Sequence, residues 1–90
     1  MGAIVSILVK LMPESPSSNL EAIKTESQKL MEKEGAKSIS FEEKPVAFGL
    51  KAIYMKMAMP EEKGTDLVET TLAKVKEVSS LTIEDYRRVG

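Results

Sequence analysis

The chain has 90 residues, 42% of them apolar and 30% charged, with a formal net charge of −1. That length gives one domain, residues 1–90, with a modest core, and the composition is too apolar for disorder at so small a net charge. Lacking Cys and His altogether, the chain has no disulfide, no thiolate nucleophile and neither the commonest general base nor the commonest metal ligand, and its near-neutral balance removes the broad attraction that nonspecific nucleic-acid binding needs.

Ala3, Val5, Ile7, Val9 and Leu11 are apolar at period two, the pattern of a strand with one covered face. The opposite face reads Ile4, Ser6, Leu8, Lys10 and is half polar. This apolar run stops at Pro13, too short to span a bilayer, and it lacks a basic leader and a small-residue cleavage site, so it does not read as a signal peptide. The expected location is the cytoplasm. Pro13 and Pro16 impose a loop. Ser18 and Glu21 then have the spacing of a capping box, opening a helix with Leu20, Ile23, Leu30 and Met31 on one side, and Gly35 is placed to end it.

Ile39 and Phe41 resume the alternation in a short second strand before Glu42-Glu43-Lys44-Pro45. A third strand is expected from Phe48 to Met59. Ile53, Met55, Met57 and Met59 fall on one face, and Leu50, Ala52, Tyr54, Lys56 and Ala58 on the other, bounded by Pro45 and Pro60. Gly64-Thr65-Asp66 opens a second helix, capped by Thr65 or Asp66, with Val68, Thr71, Leu72 and Val75 as its inner stripe. Leu81 and Ile83 alternate with Thr82 and Glu84 in a last strand.

The order β-α-β-β-α-β defines an α+β, ferredoxin-like fold. Right-handed crossovers place both helices on one face of a four-stranded antiparallel sheet. Residues 1–43 and 46–90 each supply a β-α-β unit, without sequence identity between them. The other sheet face meets water or a partner.

No catalytic constellation emerges from the sequence, which carries neither a Walker A loop nor a dinucleotide fingerprint. Met31, Met55, Met57 and Met59 read as core filling, and the acidic pairs Glu42-Glu43 and Glu61-Glu62 as solvated turns. No metal site and no cofactor are expected. Two readings of Phe48 stand side by side: a ring presented from a Pro-bounded turn beside Gly49, serving as an interface anchor, or a core Phe opening a strand. Arg87 and Arg88 likewise read either as a bidentate anion-binding tail projecting past the sheet or as solvated charge on an edge strand. Ile4, Leu8, Leu50 and Tyr54 would form a shallow apolar patch on the open face.

Three motifs, Met12-Pro13-Glu14-Ser15-Pro16, Pro45-Val46-Ala47-Phe48-Gly49-Leu50-Lys51-Ala52 and Asp85-Tyr86-Arg87-Arg88, in this order and spacing, resemble the archaeal form of the translation elongation factor 1-beta family. The likeness runs from about Ala3 to Arg88. It implies guanine-nucleotide exchange: such proteins bind the GTPase elongation factor 1-alpha, promote GDP release and let GTP reload, by protein contact and without covalent catalysis. It also implies that Phe48 and Gly49 pack on the GTPase. The C-terminal tail, which in eukaryotic relatives carries a Lys reaching the magnesium and phosphate site, here offers Arg87 or Arg88. The chain resembles the exchange domain alone, expected as a monomer with no direct nucleic-acid or membrane partner.

The rival readings are an RNA-binding domain or a small regulatory or enzymatic module of the same fold. An RNA-recognition motif would place K/R-G-F/Y-G/A-F-V-x-F/Y on the third strand, and the stretch from Ala47 to Tyr54 gives at most an offset echo. A hydrolase of the acylphosphatase kind would want a Gly-rich loop with Arg after the first strand, where Met12-Pro13-Glu14-Ser15 stands.

Overall fold

A computed structural model describes residues 3–89. In chain order the elements are β1 (Ile4–Pro13), α1 (Leu20–Lys33), β2 (Lys37–Pro45), a 3-10 turn (Ala47–Gly49), β3 (Lys51–Pro60), a second 3-10 turn (Glu61–Lys63), α2 (Gly64–Leu72) and β4 (Val78–Val89). The sheet order is β2-β3-β1-β4 and every neighbouring pair is antiparallel. This is the ferredoxin-like α+β arrangement expected from the sequence.

The central strand β1 shows why the sheet has this form. Val5, Ile7, Val9 and Leu11 are fully buried, and the same strand pairs with β3 from Ile4↔Pro60 to Leu11↔Ile53 and with β4 from Ile4↔Val89 to Pro13↔Val78. Across the pleat, Ile53, Met55, Met57 and Met59 of β3 join them, so the methionines fill the core, as does Met31. The helices close this face with Ile23 and Met31 from α1, and Val68 and Leu72 from α2, with Val75 just beyond α2.

Several boundaries differ from the sequence expectation, each for a local reason. Asn19, not Ser18, caps α1: its side chain accepts a hydrogen bond from the Ala22 amide at 3.1 Å. The Ser18 hydroxyl instead accepts from the Ser15 amide at 3.1 Å and tightens the preceding loop. Gly35 ends α1 as expected. It has φ +100°, the Ala36 amide reaches back to the Met31 carbonyl at 2.9 Å and the Gly35 amide to that of Glu32 at 3.0 Å, the double closure that a left-handed residue permits. No side chain caps α2, so neither Thr65 nor Asp66 serves as anticipated.

β2 continues through Glu42, Glu43 and Lys44 to Pro45, residues expected in a turn. Pro45 is tolerated because β2 is an edge strand. Glu43 is no free loop carboxylate either: Lys24 of α1 donates to it and also lies 3.2 Å from Glu21. Hydrogen bonding to Lys24 holds the Glu43 carboxyl below its usual range, and bonding to Glu43 chiefly holds the Lys24 ammonium above its own.

The described residues contain one buried side-chain polar atom without a partner, the Ser27 hydroxyl in the middle of α1. Since the site gains nothing from the hydroxyl, and Ala is the better helix former, Ser27→Ala should raise stability by about 1 kcal/mol in denaturant titration. The Lys24–Glu43 pair predicts an acid signature. A lowered folded pKa stabilises above the ordinary Glu value and loses that contribution as pH falls through it. Wild type should therefore be more stable than Glu43→Gln at neutral pH, with the two unfolding midpoints converging as pH falls below the ordinary Glu range.

Candidate functional site: two ends of one sheet

At one end, β2 and β3 meet in a turn that begins where Pro45 pairs with Lys51. The Val46 amide donates to the Leu50 carbonyl at 2.8 Å and the Leu50 amide to that of Ala47 at 3.3 Å. Between them Phe48 has φ 62°, ψ 29° and Gly49 has φ 75°. Two successive left-handed residues turn the chain outward, and the Phe48 side chain emerges 91% exposed. Thus Phe48 does not open a strand, and β3 starts at Lys51. Of the two readings of this ring, the structure supports display and excludes the core. The loop after β1 lies alongside: a Cβ added to Gly49 would come 4.0 Å from Pro16 Cγ. Two of the three sequence motifs therefore converge here, a proximity that spacing alone does not reveal.

The third motif lies at the other end. β4 runs back along β1 so that Ser6 pairs with Arg87, Val5 with Arg88 and Ile4 with Val89. The tail is thus part of the sheet and does not project beyond it as expected. From Ser6 to Pro13, the end of β1, is more than about 20 Å of strand, in a body 44 Å long and 20 × 19 Å across. Phe48 with Gly49, and Arg87 with Arg88, form two separate ends.

A bulge decides where the arginines point. Leu8 pairs with Asp85 but Val9 with Ile83, leaving Glu84 as an extra residue, and one extra residue exchanges the faces of everything beyond it. Leu81 and Ile83 therefore share the helix side with Leu11 and Val9, whereas past the bulge Tyr86 and Arg88 take that side. Asp85, Arg87 and Val89 turn to the open face. Arg88 reaches across the end of β1 to Glu61, with Nε 2.9 Å and Nη2 3.2 Å from the two carboxylate oxygens. Arg87 places Nε 2.8 Å from Asp85 Oδ2. Sequence reading assigned Asp85 no separate role and Glu61 that of a solvated turn; Asp85 stands two residues from Arg87 on the same strand face, whereas only the topology brings Glu61 beside Arg88. Tyr86, 44% exposed, lines a shallow groove with Lys63, Gly64, Thr65 and Asp66.

The open face does not carry the apolar patch anticipated from Ile4, Leu8, Leu50 and Tyr54. Ile4 pairs with Pro60 at one extremity, Leu50 precedes β3 at the other, and Lys56 and Lys10 stand opposite Leu8 and Tyr54. Tyr54 is the sole aromatic on this face, and Lys44 lies over its ring 4.9 Å from the centroid. Among the described residues no group of three or more acidic side chains gathers as a metal site, and no helix is long and apolar enough to cross a membrane.

The chain is thus a ferredoxin-like α+β domain that displays a strained aromatic at one end and a pair of arginines at the other. The family model described as the EF-1 guanine nucleotide exchange domain matches residues 6–89. The chain is 42% identical over 90 residues to elongation factor 1-beta of Methanobrevibacter smithii, covering 99% of each chain. It is 38% identical over 90 residues to that of Methanothermobacter thermautotrophicus, again covering 99% of each, and 39% identical over 84 residues to that of Methanocaldococcus jannaschii, covering 91% and 94%. The chain belongs to the EF-1 guanine nucleotide exchange domain family. Among solved structures it is similar to the C-terminal domain of a cyclometallase involved in synthesis of the NPN cofactor of lactate racemase, with a TM-score of 0.66 at 9% identity, over 96% of this chain and 56% of that one. That likeness concerns the fold alone.

A bulky side chain in the left-handed region costs about 1–2 kcal/mol, and the 91% exposed ring recovers little of this by packing. Phe48→Gly and Phe48→Asn should therefore leave the domain as stable as wild type or more so in thermal melts, whereas a core Phe would lose about 3–5 kcal/mol on truncation.

Proposed function

We propose that the chain accelerates GDP release from elongation factor 1-alpha by docking alone, with Phe48 and Gly49 as the anchor at one end and the Arg87-Arg88 segment as the polar contact at the other. The observation that carries this reading is the Phe48 turn, which holds an aromatic almost wholly in solvent at a cost in backbone strain. Strain kept at a surface position is characteristic of contact sites, and a buried interface aromatic supplies 2 kcal/mol or more of binding.

Exchange needs a surface that binds the emptied GTPase better than the loaded one, and reciprocity makes nucleotide weaken the factor by the same ratio. A thousandfold faster release corresponds to about 4 kcal/mol, within reach of one anchor and a few charged contacts. No bond to the protein is made or broken in such a process, so a chain without His or Cys is suited to it. The two contact ends favour a partner surface that runs along the sheet. The cytoplasm, where translation proceeds, is the proposed site of action. The edges fit a monomer: Pro45 on β2 and the bulge and charges of β4 discourage edge-to-edge pairing. Direct RNA binding is not proposed, because Lys44 already occupies the face of Tyr54 on which a base would stack.

Release of a fluorescent GDP analogue from the cognate GTPase tests the reading. Wild type should accelerate release, and Phe48→Ala should raise the half-saturating concentration about 30-fold, the equivalent of about 2 kcal/mol. Unchanged release with wild type would refute exchange. Equal acceleration by Phe48→Ala would spare exchange and remove Phe48 from the site.

A further inference from the structure

We infer that the two tail arginines have different jobs: Arg87, steered by Asp85, is the group that meets the partner, and Arg88, clasped by Glu61, holds the strand that carries it. This deepens the proposed exchange function and rests on it.

The two ion pairs differ in which edge of the guanidinium they occupy. Arg88 uses Nε and Nη2 in a two-point contact with a residue 27 positions away, across the end of β1. The pair ties the last turn of an edge strand to the turn after β3, and that turn is itself fastened through the Glu61 amide to the Ala3 carbonyl at 2.8 Å. Strand ends fray unless tied down, and this clasp is the tie.

Arg87 makes a one-point contact within its own strand, Nε to Asp85 at 2.8 Å, with 75% of its side chain exposed. A guanidinium carries five N–H donors, one on Nε and two on each terminal nitrogen. The Asp85 carboxylate lies against the Nε edge as an ion pair, and the two terminal nitrogens point away from it as a planar fork, the geometry that takes two oxygens of one anionic group. Asp85 and Arg87 both lie on the open face past the Glu84 bulge, opposite Leu8 and Ser6, where no helix covers them. The shared chemistry of the target is a two-oxygen anion, either a carboxylate of the GTPase or a phosphate of its nucleotide. Asp85 is then a positioning residue, fixing the plane of the fork in advance and lowering the ordering cost at contact.

The test combines melting with GDP-analogue release at varied factor concentration. Arg87→Ala and Arg87→Lys should melt like wild type and lose at least about tenfold in maximal release rate. Asp85→Ala should lose less, about threefold, with Asp85→Glu restoring it, because a carboxylate then again stands beside Nε. Arg88→Glu should lower the melting temperature, and adding Glu61→Arg should restore both melting and release. Weakened binding of Arg87→Ala to the emptied GTPase would identify a carboxylate target, and unchanged binding with lost release a phosphate; both support the assignment. Full release by Arg87→Ala, or a reversed 61/88 pair that regains melting without release, would overturn it. A wild type unable to accelerate release would remove the exchange reading and this inference together, a result distinct from either.

Discussion

Pairing of β1 on both edges is the constraint from which the rest of the molecule follows. Four of its residues, Val5, Ile7, Val9 and Leu11, are fully buried, and the strand that holds them is hydrogen-bonded to β3 on one side and β4 on the other. A strand fixed in this way cannot slip by one residue without turning its entire apolar set to water. Both crossover helices must then close the same face. The lengths follow too. β1 spans ten residues, about 30 Å of extended chain, and whatever is attached to its two ends is held apart by that distance. The loop after β1 sits beside the Phe48 turn, and the end of β4 sits beside the start of β1, so an elongated domain with these two features at separate ends is a direct consequence of one long central strand.

The sequence made the core legible because burial leaves a periodic trace. Alternation in β1, the methionines of β3 and the helical stripes through Ile23, Met31, Val68 and Leu72 all mark residues that water is excluded from. Features set by a single residue were harder to read. Ser18 and Asn19 are both good capping residues, and Glu21 at capping-box spacing from Ser18 favoured the wrong one; the structure resolves the tie because Ser18 is needed to close the loop at Ser15. The Phe48 turn had only Gly49 and the flanking Pro45 to announce it, and nothing in a one-letter pattern says that a Phe will take φ 62°. The bulge at Glu84 was invisible for a related reason. Beyond Ile83 charged residues fall on both sides of the strand, and Tyr86 and Val89 at odd spacing leave no apolar alternation to show that the faces had been exchanged.

Two of these illegible features, the Phe48 turn and the Glu84 bulge, lie at the candidate site. A sequence optimised only for folding would put Gly or Asn where φ is positive and would keep an aromatic under cover. Phe48 does neither. The edge strand β4 carries a bulge that does not improve the core, yet it moves Asp85 and Arg87 from the helix side to the open one. Ser38 in β2 and Glu77 before β4 also take positive φ, so backbone strain is not confined to the two ends; what sets Phe48 apart is that its ring is 91% exposed as well.

The choice of arginine over lysine in the tail acquires a reason from the same geometry. A lysine ammonium concentrates its donors on one atom, so a neighbouring carboxylate that fixes its position also neutralises the centre that must later attract an anion. A guanidinium separates these tasks in space, because the Nε edge accepts guidance from a carboxylate while the terminal nitrogens, about 2 Å away across the plane, keep their donors free. Asp85 beside Arg87 is compatible with anion recognition for that reason, whereas the same Asp85 beside a lysine would compete with the partner directly.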